Sequence, residues 1–352
     1  MDLKGQSLVN IFCSFAVFIH IITADLSYSI PEEMTPGSIV GNIAKDLGLE
    51  VGELFTRRAR IEMEESYQHY CDIDLKTGHF VMKERIDREE LCGEKASCML
   101  TFELVLESPL ELHRISLLIQ DKNDNSPLFP KDTIKLEISE SANAGARYRL
   151  NEAHDADIGQ NTVQQYSLQN NEHFVLSVRE DSDGSKNVEL VLDKELDREK
   201  EQELHFLMIA VDGGNPQRSG TTNIIVSVLD ANDNAPVFDQ AFYKASLPEN
   251  SPLDTVVITV SATDADNGVN GEVTYEFSRI SERAKKVFLL NSKTGEIKII
   301  GPLDFESNSK YEMRIDAKDG YGLSSDSKVM IEITDINDNA PVIYLKSLTN
   351  PI

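Results

Sequence analysis

One seven-residue stretch is written three times in this chain: Asp121-Lys-Asn123-Asp124-Asn125-Ser-Pro127, Asp230-Ala231-Asn232-Asp233-Asn234-Ala-Pro236 and Asp335-Ile-Asn337-Asp338-Asn339-Ala-Pro341. The copies stand 109 and 105 residues apart, a distance that fits one small domain rather than one supersecondary unit. A single copy would read as a turn, because Asp and Asn favour local side-chain bonds to backbone and Pro stops whatever precedes it. A plain linker has no reason to keep two carboxylates at fixed offsets three times over. The motif therefore constrains the chain to a string of similar beads whose joints give those oxygens a task.

Inside each bead, short runs alternate apolar and polar residues with period two, as at Val256, Ile258, Val260 and Ala262 or at Tyr311, Met313, Ile315 and Ala317. These read as strands with one buried face. Phe288 and Leu290, then Ser292-Lys-Thr-Gly295, then Ile297 and Ile299 predict a hairpin, and Asp74-Leu-Lys-Thr-Gly78 repeats the device. Ile43 to Leu47 reads as a short helix or quasi-helical turn. Some seven strands per bead with little helical periodicity predict an all-β chain of tandem antiparallel β-sandwiches. The boundaries expected from the repeat are 25–125, 126–234 and 235–339, with 340–352 opening a fourth bead that stops short.

Charge and cysteines narrow the setting. Asp and Glu number 60 against 34 Lys and Arg, so the net charge of −26 argues against a nucleic-acid partner, whose phosphates would be repelled. With 40% hydrophobic residues the chain is too apolar for a disordered acidic tail, which puts the acids on folded domains. Residues 1–24 combine Lys4, an apolar run from Leu8 to Ile22 and Ala24, the pattern of a cleaved secretory signal. The expected location is a cell surface if the chain is part of an anchored protein, and the medium if it is complete. Cys92 and Cys98, close in sequence and in an oxidising setting, predict a disulfide contributing about 2 kcal/mol. Zinc is disfavoured because two thiolates make no tetrahedral site and no further ligand has the spacing. Cys71 reads as a buried free thiol on a strand, with intermolecular pairing as the alternative.

A second acidic element recurs 34, 33 and 31 residues before the joints, as Asp87-Arg88-Glu89, Asp197-Arg198-Glu199 and Asp304-Phe305-Glu306. The second and third beads add Asp155-Ala-Asp157 with Asn161, Asp264-Ala-Asp266 with Asn270, and late Asp212-Gly213 and Asp319-Gly320. The first bead lacks these, as expected if they face a preceding bead. At the first joint Glu32, Asp87, Glu89, Asp121, Asp124, Asp155, Asp157 and Asp212 would then converge. Two carboxylates about 5 Å apart repel by roughly 3 kcal/mol at an effective dielectric near 20. A few such pairs outweigh a domain's stability of about 5–15 kcal/mol, so these acids need cations. An all-oxygen set with Asn carbonyls selects Ca²⁺ over Mg²⁺. Metal between two beads would fix their angle, whereas bare joints would repel and swing.

The motifs Pro-Glu, Asp-Arg-Glu, Asp-x-Asn-Asp-Asn-x-Pro, Asp-Ala-Asp and Ala-x-Asp-Gly resemble the calcium motifs of cadherin repeats over nearly all of 25–352. The resemblance implies Greek-key sandwiches with three calcium ions at each complete junction. It implies Asn123, Asn125 and Asn161 beside the eight acids at the first. At the second it implies Glu140, Asp197, Glu199, Asp230, Asn232, Asp233, Asp264, Asp266 and Asp319, with main-chain oxygens of Ala231, Asn234 and Asn270. At the third it implies Glu249, Asp304, Glu306, Asp335 and Asp338, without acids from a following repeat. Ser29-Ile-Pro-Glu-Glu-Met, Val40 to Gly48, Arg85 to Cys92 and the short cysteine loop resemble the first repeat of clustered protocadherins. That subfamily implies homophilic recognition across two cells through repeats one to four, with related protocadherins as partners in cis and no small-molecule substrate. The absence of tryptophan rules out the Trp strand exchange of other cadherins. On this reading residues 25–352 alone self-associate weakly, and a secreted form would act as a decoy. A hydrolase using Asp87 and Glu89 as acid and base is the competing class, disfavoured because the acids recur in every bead instead of converging once.

Overall fold

A computed structural model of the chain describes residues 25–63, 70–181 and 185–343. The leader at 1–24 and most of the expected fourth-bead segment, 344–352, lie outside the described residues.

Each bead is a two-layer sandwich with a four-stranded and a three-stranded sheet. In the first, the four-stranded sheet runs Leu26–Pro31, Glu111–Gln120, Cys98–Leu106, Arg60–Glu62, and the other runs Ile39–Asn42, His79–Met82, Cys71–Asp74. The second repeats this order with Thr133–Ser139, Ser219–Leu229, Glu203–Asp212 and Val163–Leu168 facing Phe174–Glu180, Lys186–Leu192 and Arg147–Arg149. The third repeats it again with Phe242–Pro248, Ser324–Thr334, Lys310–Lys318 and Thr274–Arg279 over Val256–Thr259, Glu296–Ile299 and Phe288–Leu290.

The sheets are antiparallel except at one place in every bead, where the first strand pairs parallel with the last, as in Ser29↔Leu118, Val226↔Leu136 and Ala245↔Ile331. The expected antiparallel sandwiches are thus present, with one parallel pair in each. The exception follows from the string: a chain that enters each bead at one end and leaves at the other must run its first and last strands the same way.

The predicted hairpins form, with Phe288↔Ile299 and Leu290↔Ile297 in register and Asp74 facing His79. Gly295 closes its turn at φ 70°, where a Cβ would lie 2.1 Å from the Val260 carbonyl oxygen. Tyr311, Met313, Ile315 and Ala317 are buried in one line. Val256 to Ala262 is not the single alternating strand expected. A register shift follows Val256, and the chain leaves the three-stranded sheet so that Ala262 and Thr263 pair with Phe238 and Val237. Ile43–Asp46 is helical, capped by Asn42, whose side chain accepts from Lys45 N. Helices at Val51–Thr56, Arg88–Cys92 and Glu282–Val287 were not anticipated. Cys92 and Cys98 are bonded, and Cys71 is a buried free thiol on a strand.

Three apolar cores result, centred on Phe80 and Phe102, on Phe174 and Phe206, and on Phe288 and Tyr311. Each core draws on one bead only. Fully burying such a side chain contributes about 1.5–3 kcal/mol, so each bead supplies its own stability, while the contacts that couple neighbours are polar.

Candidate metal centres between the repeats

Every joint begins with the glutamate that follows the bead's first strand. Glu32 is buried, and its oxygens accept from Arg88 N at 2.7 Å and Lys122 N at 2.9 Å. Glu140 does the same with Arg198 N and Ala231 N, both at 2.7 Å, and Glu249 with Phe305 N at 2.7 Å and Ile336 N at 2.8 Å. A single carboxylate thus ties the Asp-x-Glu loop to the linker through charge-assisted bonds. The first acid of that loop caps its own turn: Asp87 accepts from Glu90 N at 2.8 Å, Asp197 from Lys200 N at 3.1 Å and Asp304 from Ser307 N at 3.2 Å.

The spacing of Asp-Ala-Asp has a similar cause. Asp155 accepts from Asp157 N at 3.3 Å, and Asp264 from Asp266 N at 2.9 Å, each through Oδ1. Asp212 Oδ1 takes Gly214 N and Arg218 N, and Asp319 Oδ1 takes Tyr321 N and Leu323 N. In each case one oxygen is spent on the backbone. The other, Oδ2, is buried without a hydrogen-bond partner in all four residues, as is Oδ1 of Asn123 and Asn232. Buried oxygens left unpaired cost about 1–3 kcal/mol each. They recur at matching positions of two joints and are free to take a cation.

The linkers close the arrangement. Asn125 binds Asp157 through its backbone and its side-chain amide, and Asn234 binds Asp266 in the same way. Asp121 accepts from Asn161 Nδ2 at 2.8 Å, and Asp230 from Asn270 Nδ2 at 2.7 Å. Gly213 and Gly320 make room for that asparagine loop, since a Cβ there would meet Gln160 O at 2.6 Å and Val269 O at 2.3 Å.

Carboxylate oxygens gather in groups whose members all lie within 4.8 Å of one another: Glu32, Asp87 and Glu89; Glu89, Asp124 and Asp157; Glu140, Glu199 and Asp230; Glu199, Asp233 and Asp266; and Glu249, Asp304 and Glu306. Glu89 and Glu199 are shared between two groups and are placed to bridge. Asp197 stands apart from its group, with Lys200 Nζ 2.5 Å away. Ala231 contributes a carbonyl that already accepts from Asp233 N at 2.9 Å. Asp335 and Asp338 are exposed and neither joins a group; Asp338 accepts from Asn339 Nδ2 at 2.8 Å.

Crowding shows in the titration of these acids. Burial pushes Glu89 up to about 7, against the pull of its bond from Arg88, and pushes Asp157 up to about 6, with the neighbouring Asp155 charge adding to it. Asp155 and Asp233 are raised as well, by burial first and then by nearby acids. Ionised, the cluster is strained by its own charge. An all-oxygen set of this size, with bridging carboxylates and orphaned oxygens, suits a hard cation that tolerates six to eight ligands, the requirement of Ca²⁺. Sequence reasoning missed Arg88 and Arg198, whose guanidinium groups sit among the acids; the middle letter of Asp-Arg-Glu was the available signal.

The family profile described as Cadherin-like matches residues 25–108, and that of the Cadherin domain matches 134–229 and 243–334. Protocadherin gamma-B4 of Pan troglodytes is 45% identical over 98% of this chain and 36% of its own length. The solved structure of mouse clustered PcdhgC3 EC1-3 superposes with a TM-score of 0.83 at 44% identity, covering 88% of this chain and all of that one. Extracellular cadherin domains 1-4 of protocadherin gamma B7 give 0.84 at 46% identity, covering 93% of this chain and 79% of theirs. The chain spans about a third of the length of the curated relatives it matches.

Proposed function

The chain belongs to the cadherin family, and from that membership we propose that its repeats form a calcium-stiffened adhesion module that recognises a second copy of itself on an apposed cell. The family is not one of enzymes, which removes the hydrolase reading of Asp87 and Glu89. The observation that carries the calcium reading is the set of buried, unpartnered oxygens repeated at Asn123, Asp155 and Asp212 and again at Asn232, Asp264 and Asp319.

Calcium bound there would supply positive charge shared between carboxylates of neighbouring repeats. The chain's own residues do the rest. Glu32, Glu140 and Glu249 hold loop to linker, Asn125 and Asn234 carry the linker onto the next repeat, and Glu89 and Glu199 bridge adjacent acid groups. With the acids neutralised, each pair of sandwiches keeps one relative angle, so residues on the sheet faces of different repeats can act as one extended surface. No helix among the described residues is long and apolar enough to cross a membrane. Placement at a cell surface is proposed from the protocadherin relatives.

The melting temperature of the chain against free calcium tests this reading. A steep rise with calcium is expected, blunted in Asp233→Ala, because a ligand bound only to the native state stabilises it by mass action. A flat curve would leave the acids without a metal and the adhesion reading without its mechanism.

A further inference from the structure

The Asp-x-Glu element differs among the repeats at its middle residue, and the difference falls beside the metal acids. Arg88 is completely buried in the first repeat, the Arg198 side chain is 11% exposed in the second, and Phe305 takes the place in the third. Arg88 Nη1 donates to Glu89 Oε1 at 2.9 Å and lies 3.3 Å from Asp121 Oδ1. Main chain grips the rest of the guanidinium: Nη1 donates to Gly93 O at 3.4 Å and Nη2 to Lys95 O at 2.5 Å. Both carbonyls belong to the loop closed by the Cys92–Cys98 disulfide. The same loop carries Glu94 to the second repeat, where it lines a cleft with Glu152, His154, Asp155 and Lys186. Arg198 reaches the equivalent acids, Glu199 at 3.4 Å and Asp230 at 3.3 Å, but among the described residues its side chain takes no main-chain carbonyl.

We infer that Arg88 is a positioning residue of the first junction: fixed by the disulfide-closed loop, it acts as an internal cation that holds Glu89 and Asp121 together without metal and lowers the junction's affinity for calcium. The inference rests on the calcium reading proposed above. A guanidinium stays charged at any physiological pH and its planar fork can bond two acceptors at once. Its charge offsets the mutual repulsion of the acids and repels an incoming divalent ion, while its donors engage carboxylate oxygens that the ion would use. Carbonyls on a closed loop keep that fork in place, whereas Arg198 has no such grip and Phe305 offers no charge. The first junction is therefore the one that least needs calcium to stay closed.

Calorimetric calcium titration of the full chain tests this, with cleavage by a lysine-specific endoproteinase in chelator as a second reading. Lys122 is exposed in the first linker, and 230–236 contain no lysine, so a cut after Lys122 reports the first junction. Arg88→Met is expected to tighten one class of calcium sites by at least about tenfold, the effect of removing a unit charge near a divalent ion even with the screening of bulk water. It is also expected to speed the Lys122 cut without calcium. Arg88→Lys, which restores the charge without the fork, falls between wild type and Arg88→Met. Should Arg88→Met fail to fold, Cys92→Ser with Cys98→Ser keeps the arginine but opens its loop, and a smaller shift in the same direction is expected. Calcium binding that these variants leave unchanged or weaken overturns the role of Arg88 alone. A wild type that binds no calcium overturns the reading on which it rests.

Discussion

Glu89 and Asp157 show what a junction asks of single residues. Their carboxyls are raised from 4.5 to about 7 and from 3.8 to about 6, chiefly by burial. An acid raised on folding is destabilising when ionised, so the cost is full above the folded value and is relieved as pH falls through it toward the unfolded one. Asp197 and Asp304, held low by their turn partners, act in the opposite sense only near and below their ordinary range. Between pH 8 and 6 the raised pair therefore governs. The calcium-free chain is expected to melt higher at pH 6 than at pH 8, and the Glu89→Gln, Asp157→Asn double variant to lose that trend. With saturating calcium the trend should vanish or reverse, since ligands must lose their protons to bind metal. A calcium-free melting point that falls from pH 8 to 6 would remove the claim that these acids are strained by burial. At this scale the sequence was informative, because Asp-x-Asp and Asp-x-Glu recur at fixed offsets. It could not show that in Asp155, Asp212, Asp264 and Asp319 one oxygen goes to the backbone and the other is left over.

Among elements, the hairpins at 74–78 and 288–299 were legible because a Gly-containing turn and period-two alternation are local signals. The parallel pairing of first and last strands was not, since it joins residues about 90 positions apart, as Leu26 and Ile115 do. Nor was the helix at Glu282–Val287, six residues whose Ser281 cap is the kind of residue equally common in turns. The glycine of Asp-Gly was visible as a repeated letter, while its reason lies in tertiary approach. Because the Val269 carbonyl stands 2.3 Å from a Cβ at position 320, Gly320→Ala must displace the loop that carries Asn270 toward Asp230. We expect Gly320→Ala to cost about 1–3 kcal/mol, typical of overpacking, and to move the calcium midpoint of the second junction upward. Gly48→Ala, with φ 70° but open space around its Cβ and its N–H on the Lys45 carbonyl, should lose stability through backbone strain alone and leave the calcium midpoint in place. Equal calcium midpoints for the two variants, measured by calorimetry, would detach the glycine from the metal site.

For the molecule as a whole, a net charge of −26 is spread over three cores that share no buried apolar cluster. Two different agents could quiet the repulsion at the junctions. Monovalent salt screens it, with a Debye length of about 3 Å at 1 M, but forms no bond between repeats. A coordinated cation screens and also links, because Asp124 with Asp157, and Asp233 with Asp266, contribute to one acid group from opposite sides of a junction. Small-angle scattering separates the two. At low salt without calcium a broad distribution of interatomic distances is expected; 1 M NaCl should raise the melting temperature yet leave that breadth, and millimolar calcium at constant ionic strength should sharpen it. Asp233→Ala, which touches the second junction only, should keep one loose joint in calcium, giving a distribution between the two extremes. Magnesium should not replace calcium, since its small octahedral shell accepts fewer protein oxygens. If 1 M NaCl alone produced the sharpened profile, neutralisation without coordination would explain the stiffness, and the paired acids would have no need of a metal with calcium's geometry.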